Sequence, residues 1–81
     1  MNEQRARKVL LEAVELVAPD VAADRIDPSA SLREAAELDS MDFVTLVGLL
    51  ADAVGADIPE DDYAQLDTVN DAVAYLASRL T

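Results

Sequence analysis

Few residues in this chain could carry out chemistry. Its 81 residues include no Cys and no His, which removes a thiolate nucleophile, a disulfide framework and a thiolate zinc site. The commonest general base is also missing, so a Ser-His-Asp triad cannot be assembled and no catalytic residue is identified. What remains is Ser40, in the stretch AAELDSMDFVTLVGLL that runs from Ala35 to Leu50. It lies between Asp39 and Asp42, where an acidic segment turns without a break into an apolar run. Asp39 suits the N-cap of a helix beginning there and Asp42 its third position. Ser40 then occupies the first helical position, off the apolar stripe, with Met41 and Val44 beside it. A hydroxyl so placed projects at the positive end of a helix dipole, a position that favours a phosphate. The same letters also suit residues that only start a helix, and from these few residues alone that ordinary capping reading is the commoner one.

The elements that must position this serine read as helices, and the fold class is all-α. Apolar residues recur at helical spacing in three segments, and none alternates as a strand would. The first covers roughly Glu3 to Ala18, with Val9, Ala13, Leu16 and Val17 as its stripe, widened by Leu10 and Val14, and Pro19 stopping it. The second runs from Ser40 to about Val54, with Phe43, Leu46, Val47, Leu50 and Val54 on one side. Gly55 stands where a terminating glycine belongs. Thr68 caps the last helix, with Asp71 three residues on, and its apolar set is Val69, Ala72, Val73, Leu76 and Leu80. Pro59 opens a short helical piece over Glu60 to Leu66. The segment from Pro19 to Leu38 is a long first loop, pinned to the core by Val21, Ile26 and Leu32. Three longer helices and one short one make a small four-helix bundle, a single domain over 1–81.

Composition narrows the function further. A chain this short buries only about 60% of its unfolded surface, and with one Phe, two Tyr and no Trp the core must be aliphatic. Six basic residues against seventeen acidic ones give a net charge of −11. Between Arg33 and Arg79 there is no Lys or Arg, while Glu34, Glu37, Asp39, Asp42, Asp52, Asp57, Glu60, Asp61, Asp62, Asp67 and Asp71 all fall there. Such a surface repels phosphate backbones, so no nucleic acid is expected, and it steers basic partners. Apolar runs are far too short for membrane insertion. The charged N-terminus MNEQRARKVLLEAVEL has no signal-peptide pattern, and a soluble cytoplasmic protein is expected. The acidic DIPEDD lacks the spacing of a calcium loop and leaves only loose divalent screening, with no metal site. Tyr63 and Tyr75 are expected at the bundle's edge with their hydroxyls in water. Arg5, Arg7 and Lys8 balance charge on the first helix, in pairs such as Lys8–Glu12.

Taken in order along the chain, LDSMDFVTLV, DIPEDD and TVNDAVAYL resemble the acyl carrier proteins. Asp39, Ser40, Met41 and Asp42 match that family's Asp-Ser-Leu-acid motif, Ile58 and Pro59 its turn, and Thr68 and Val69 its last helix. The resemblance implies that Ser40 receives a 4'-phosphopantetheine arm from coenzyme A, through a phosphodiester installed by a Mg²⁺-dependent phosphopantetheinyl transferase. Asp39 and Met41 would border the cofactor. Acyl groups would then travel as thioesters on the arm's thiol, which fits a chain that has no thiol of its own. A non-catalytic, monomeric carrier is implied, with the acyl chain as cargo. Its partners would be the transferase and acyl-loading and synthase enzymes bearing basic patches. Asp39, Met41, Asp42, Val44 and Asp52 are the residues this reading gives to those contacts.

The match departs from the family at several positions. Ala36-Glu37 stands where the family commonly has Leu-Gly, so the letters do not support the tight turn expected of that glycine, though Glu37 adds another acid. Thr45 and Ala51 replace acids usual in fatty-acid members, and Gly48 replaces a larger apolar residue. These point to a specialised rather than a housekeeping pathway. Two other readings compete. One is a peptidyl or aminoacyl carrier, whose attachment site typically reads Gly-Gly-x-Ser or Gly-Gly-His-Ser. The other is an unmodified acidic interaction domain in which Ser40 only helps to start a helix.

Overall fold

Three long helices frame the molecule because three segments carry an apolar face wide enough to share one core. The computed structural model describes residues 2–79. Helix α1 spans Glu3–Val17, α2 is a single turn at Leu32–Ala35, α3 spans Ser40–Val54 and α4 spans Val69–Arg79. A 3-10 turn at Ala23–Arg25 and a 3-10 helix at Glu60–Leu66 complete the order. The all-α expectation holds. The short piece over Glu60 to Leu66 is present, wound as 3-10 rather than α. The connection from Pro19 to Leu38 contains more order than its sequence suggests, since both α2 and the first 3-10 turn lie in it.

Helix α1 is the central mast, packing against both α3 and α4. Its buried side is Ala6, Leu10, Ala13 and Val14. The stripe read from the sequence is therefore rotated. Val9 and Val17 are only half-buried, and Leu16 stands 74% exposed. Two alanines on the inner side explain the rotation, because small side chains let both neighbouring helices approach α1 closely. Phe43, Leu46, Val47 and Leu50 of α3 are buried as their spacing predicts, with Val54 packed against the core. Val69, Ala72, Val73 and Leu76 are likewise buried on α4, while Leu80 lies outside the described residues.

Caps and backbone ties fix where each helix begins. Asn2 accepts a hydrogen bond from the Arg5 amide at 2.8 Å, Ser31 caps α2 from the Glu34 amide, and Thr68 Oγ1 accepts from the Asp71 amide at 3.0 Å. The long first connection is stitched to the start of α4. The Leu32 amide donates to the Asp67 carbonyl at 2.7 Å and the Asn70 amide to the Pro28 carbonyl at 3.0 Å, around an antiparallel bridge between Ser31 and Thr68. Leu32 is fully buried at this seam, which pins the segment as its apolar residues suggest. Gly48, in the middle of α3, is exposed and its absent Cβ would meet nothing within 4 Å. A mid-helix glycine costs about 1 kcal/mol relative to alanine, so α3 bears that cost with no packing return.

Tyr75 does not sit at a wet edge. It is 5% exposed, and its hydroxyl donates to Asp62 Oδ2 at 2.7 Å. Arg79 Nη2 donates to the same oxygen at 2.9 Å, and its guanidinium lies 4.7 Å from the Tyr75 ring centroid. A buried phenol needs a partner, and it finds one in Asp62 of the 3-10 helix, which packs on α4. Tyr63 is half-buried and meets Phe43 edge-on, with ring centroids 5.7 Å apart. Arg79–Asp62 is the one ion pair within 4.0 Å among the described residues, so Lys8 and Glu12 do not pair as the sequence suggested.

Burial, and then the hydrogen bond to Asp62, pushes the Tyr75 phenol above its ordinary range. A raised phenol pKa stabilises the fold fully below the unfolded value of about 10 and ceases to do so as pH rises through the folded value. Tyr75→Phe should therefore cost about 1 kcal/mol near neutral pH. Urea midpoints measured at rising alkaline pH should show that deficit shrinking.

Candidate functional site

The approach to Ser40 is built by two helix ends placed back to back. Helix α2 ends in a complete Schellman arrangement. The Leu38 amide donates to the Arg33 carbonyl at 2.8 Å and the Glu37 amide to the Glu34 carbonyl at 3.2 Å. Such an ending needs a left-handed residue, and Glu37 supplies it at φ 54°. The turn that a glycine would make is thus made by a glutamate, at a steric cost. Leu38, buried at 7% exposure, then anchors the chain before α3 begins.

Two residues later the chain enters α3 through a capping box. The Asp42 amide donates to Asp39 Oδ1 at 2.8 Å, and the Asp39 amide reaches back to Asp42 Oδ2 at 3.4 Å. Helix α3 therefore starts at Ser40, with the serine at its first position. By the helical period Ser40 falls within about 20° of buried Val47, so its exposed side chain comes from standing at the first position of α3, at the open end of the core, and not from facing away from it. The far end of α3 closes on Gly55, left-handed at φ 72°, with the Ala56 amide donating to the Ala51 carbonyl.

Around the hydroxyl, Met41 is 80% exposed and Val44 57%. With Ser40 and Thr45 they line a shallow, mostly apolar hollow of about 280 Å³. Thr45 adds little polarity, because its hydroxyl donates back to the Met41 carbonyl at 3.0 Å. Asp39 and Asp52 are exposed, while Asp42 is half-buried and spends its carboxylate on the cap. The six residues singled out from sequence thus share α3 and its cap. Asp39, Ser40, Met41, Asp42 and Val44 cluster at its amino end, and Asp52 lies about two turns further along.

One neighbour gives no signal in the sequence. The Arg33 guanidinium lies over the Phe43 ring, 5.1 Å from its centroid, at the rim of a hollow shared with Tyr63, Ala64 and Asp67. Only the fold brings α2 beside α3 and the 3-10 helix, so spacing along the chain could not reveal it. Among the described residues no group of three or more acids could hold a metal ion, and no helix is long and apolar enough to cross a membrane. An exposed hydroxyl at the positive end of a capped helix, with no side chain walling it off, is a site that a phosphodiester fits without rearrangement.

Comparison with known proteins agrees with that chemistry. The family described as the phosphopantetheine attachment site matches residues 8–76. An acyl carrier protein from Rubrobacter xylanophilus is 33% identical over 78 residues, covering 93% of this chain and 96% of the relative. Another, from Lactobacillus johnsonii, is 44% identical over 55 residues, covering 68% of this chain and 69% of the relative. A match that runs from α1 through most of α4, over a fold that leaves a serine exposed at a helix start, places the chain in the acyl carrier protein family, whose members are non-catalytic carriers of a covalent phosphopantetheine.

Proposed function

We propose that Ser40 is the attachment residue and that the chain holds acyl intermediates as thioesters at the end of a 4'-phosphopantetheine arm. The observation that supports this most is the exposed Ser40 hydroxyl at the first position of α3, beyond a capping box that holds the helix start in place. In the modification, Ser40 Oγ attacks the phosphorus that bears the pantetheine of coenzyme A. A new P–O bond forms, adenosine bisphosphate leaves, and the hydroxyl proton passes to a base on the transferase. Nothing in this chain has to activate the serine. The arm supplies the thiol chemistry that a chain without cysteine lacks.

The residues around Ser40 then divide the work. Asp39 and Met41 border the arm's phosphate. Asp39, Met41, Asp42, Val44 and Asp52 meet the phosphopantetheinyl transferase and the acyl-handling enzymes, which present basic patches to the acids and an apolar contact to Met41 and Val44. Exposed acids of this kind speed encounter more than they tighten the complex. That suits a carrier which must leave each enzyme after one transfer. We read the chain as one carrier domain over 1–81, a cytoplasmic monomer serving a specialised pathway. The loss of acids at Thr45 and Ala51 on α3 supports that choice.

Incubation with coenzyme A and a promiscuous phosphopantetheinyl transferase should raise the intact mass by one phosphopantetheine. Ser40→Ala should abolish the gain while leaving the helical circular dichroism unchanged. A wild-type chain that keeps its mass under those conditions is not a carrier.

Charge reversal at Asp52→Lys should lower kcat/KM for the same modification several-fold at low salt, with the deficit shrinking at high salt as screening grows. A deficit that ignores salt would show that Asp52 acts through structure rather than steering.

A further inference from the structure

A phosphodiester on Ser40 adds negative charge where the chain already gathers it. Glu34, Glu37, Asp39 and Asp42 all lie within six residues of the serine, and the first three are exposed. The positive end of α3 offsets part of that repulsion, but Asp39 and Asp42 already occupy the cap. From Ile26 to Ser78 the chain carries a single cation, Arg33.

Arg33 is exposed and is not engaged by the acids around it. Glu34 and Glu37 follow it in the chain, and Asp67 lines the same hollow of about 390 Å³. Yet Arg79–Asp62 is the one ion pair within 4.0 Å among the described residues. The Arg33 guanidinium lies instead 5.1 Å from the ring centroid of Phe43, which Tyr63 meets edge-on from another side.

The fold keeps this cation close to the attachment point. Its carbonyl accepts the Leu38 amide at 2.8 Å, so the reversal at the end of α2 sets Arg33 beside the residue two before Ser40. Phe43 follows Ser40 by three residues on α3, a spacing that puts Cβ atoms about 5–6 Å apart. A helical side chain also leans over the turn before its own Cα, which for Phe43 is the turn that Ser40 opens. The ring under the guanidinium therefore leans toward the serine.

We propose that Arg33 is the counter-ion of the attached arm. In the unmodified chain its guanidinium rests on Phe43, and once Ser40 carries the phosphodiester it turns from the ring to the phosphate oxygens. The relative strength of the two contacts sets the direction. An exposed cation–π contact is weak, whereas paired, charge-assisted hydrogen bonds from a guanidinium to a phosphate are among the strong ones. Arg33 stands at the rim of the hollow beside Phe43 and Tyr63, so the same movement clears one side of its mouth. The inference rests on the carrier reading of Ser40 and names the side chain that holds the arm's charge.

Unmodified and phosphopantetheinylated protein, compared by NMR, supply the first test. The Arg33 Nε signal and the Phe43 ring signals should both shift on modification, and in Arg33→Gln the Phe43 shift should be largely lost. Thermal midpoints at low salt supply the second. Modification should lower the midpoint of Arg33→Gln by about 4–8 °C more than that of wild type. High salt should close that gap, and Arg33→Lys, which keeps the charge, should recover most of it. An arginine that only supports the fold would change both forms of the variant equally. Equal changes, with the Arg33 and Phe43 signals unmoved in fully modified wild type, overturn the counter-ion and leave the carrier reading standing. Should Arg33→Gln resist the transferase, the wild-type signals decide by themselves. A wild-type chain that gains no mass overturns the carrier reading and the counter-ion with it.

Discussion

Everything the site does depends on where α3 begins. Two reciprocal hydrogen bonds, between Asp39 and Asp42, hold that start at one residue. A shift of a single position would turn each α3 side chain by about 100°. Ser40 would then leave the helix terminus, and Met41 and Val44 would turn off the exposed side of the helix. The Schellman ending of α2 acts on the same junction from the other side, since Leu38 is buried only because Glu37 reverses the chain. Cap and stop together leave the intervening segment little freedom. The steric cost at Glu37 is borne where it secures the direction of one exposed hydroxyl.

The rest of the molecule supports that junction with modest means. A core of Ala, Val and Leu holds three helices together, and α1 is the element that touches both of the other long ones. Alanines at 6 and 13 let it do so closely, which explains why its buried stripe includes them and leaves Leu16 outside. Polar organisation is sparse for a chain with seventeen acids. No buried polar side chain lacks a hydrogen-bond partner among the described residues, and the acids stay at the surface save Asp42 and Asp62, which are half-buried and bonded. Mutual repulsion among the rest lowers stability but leaves a field that a basic partner can follow.

Helix α3 therefore serves two masters. Its inner face carries Phe43, Leu46, Val47 and Leu50 into the core, its outer face presents Met41, Val44 and Gly48 to solvent, and its first residue, Ser40, is exposed at the helix end. The inner face obeys the packing rules without exception. The outer face breaks two of them, exposing a methionine and a valine and placing glycine in mid-helix. Departures of this kind concentrate where a surface meets something other than water.

The order of the elements was legible in the letters, because helical spacing, Pro19, Gly55, Thr68 and the Asp39–Asp42 cap are all short-range signals. So was the place of Ser40 at the first position of α3, which follows from the Asp39–Asp42 cap. What the letters could not determine involves contacts between distant segments. The side of α1 that turns inward depends on two neighbours at once. Tyr75 lost its water to Asp62 because the 3-10 helix folds onto α4, and Arg33 came to lie over Phe43 because α2 is stitched to the start of α4. The α2 turn itself gives no signal in the letters, since four residues carry too little periodicity to register. Local hydrogen bonds and spacing set the helices and aimed the serine, whereas burial, which is shared among residues far apart in the chain, decided which faces meet.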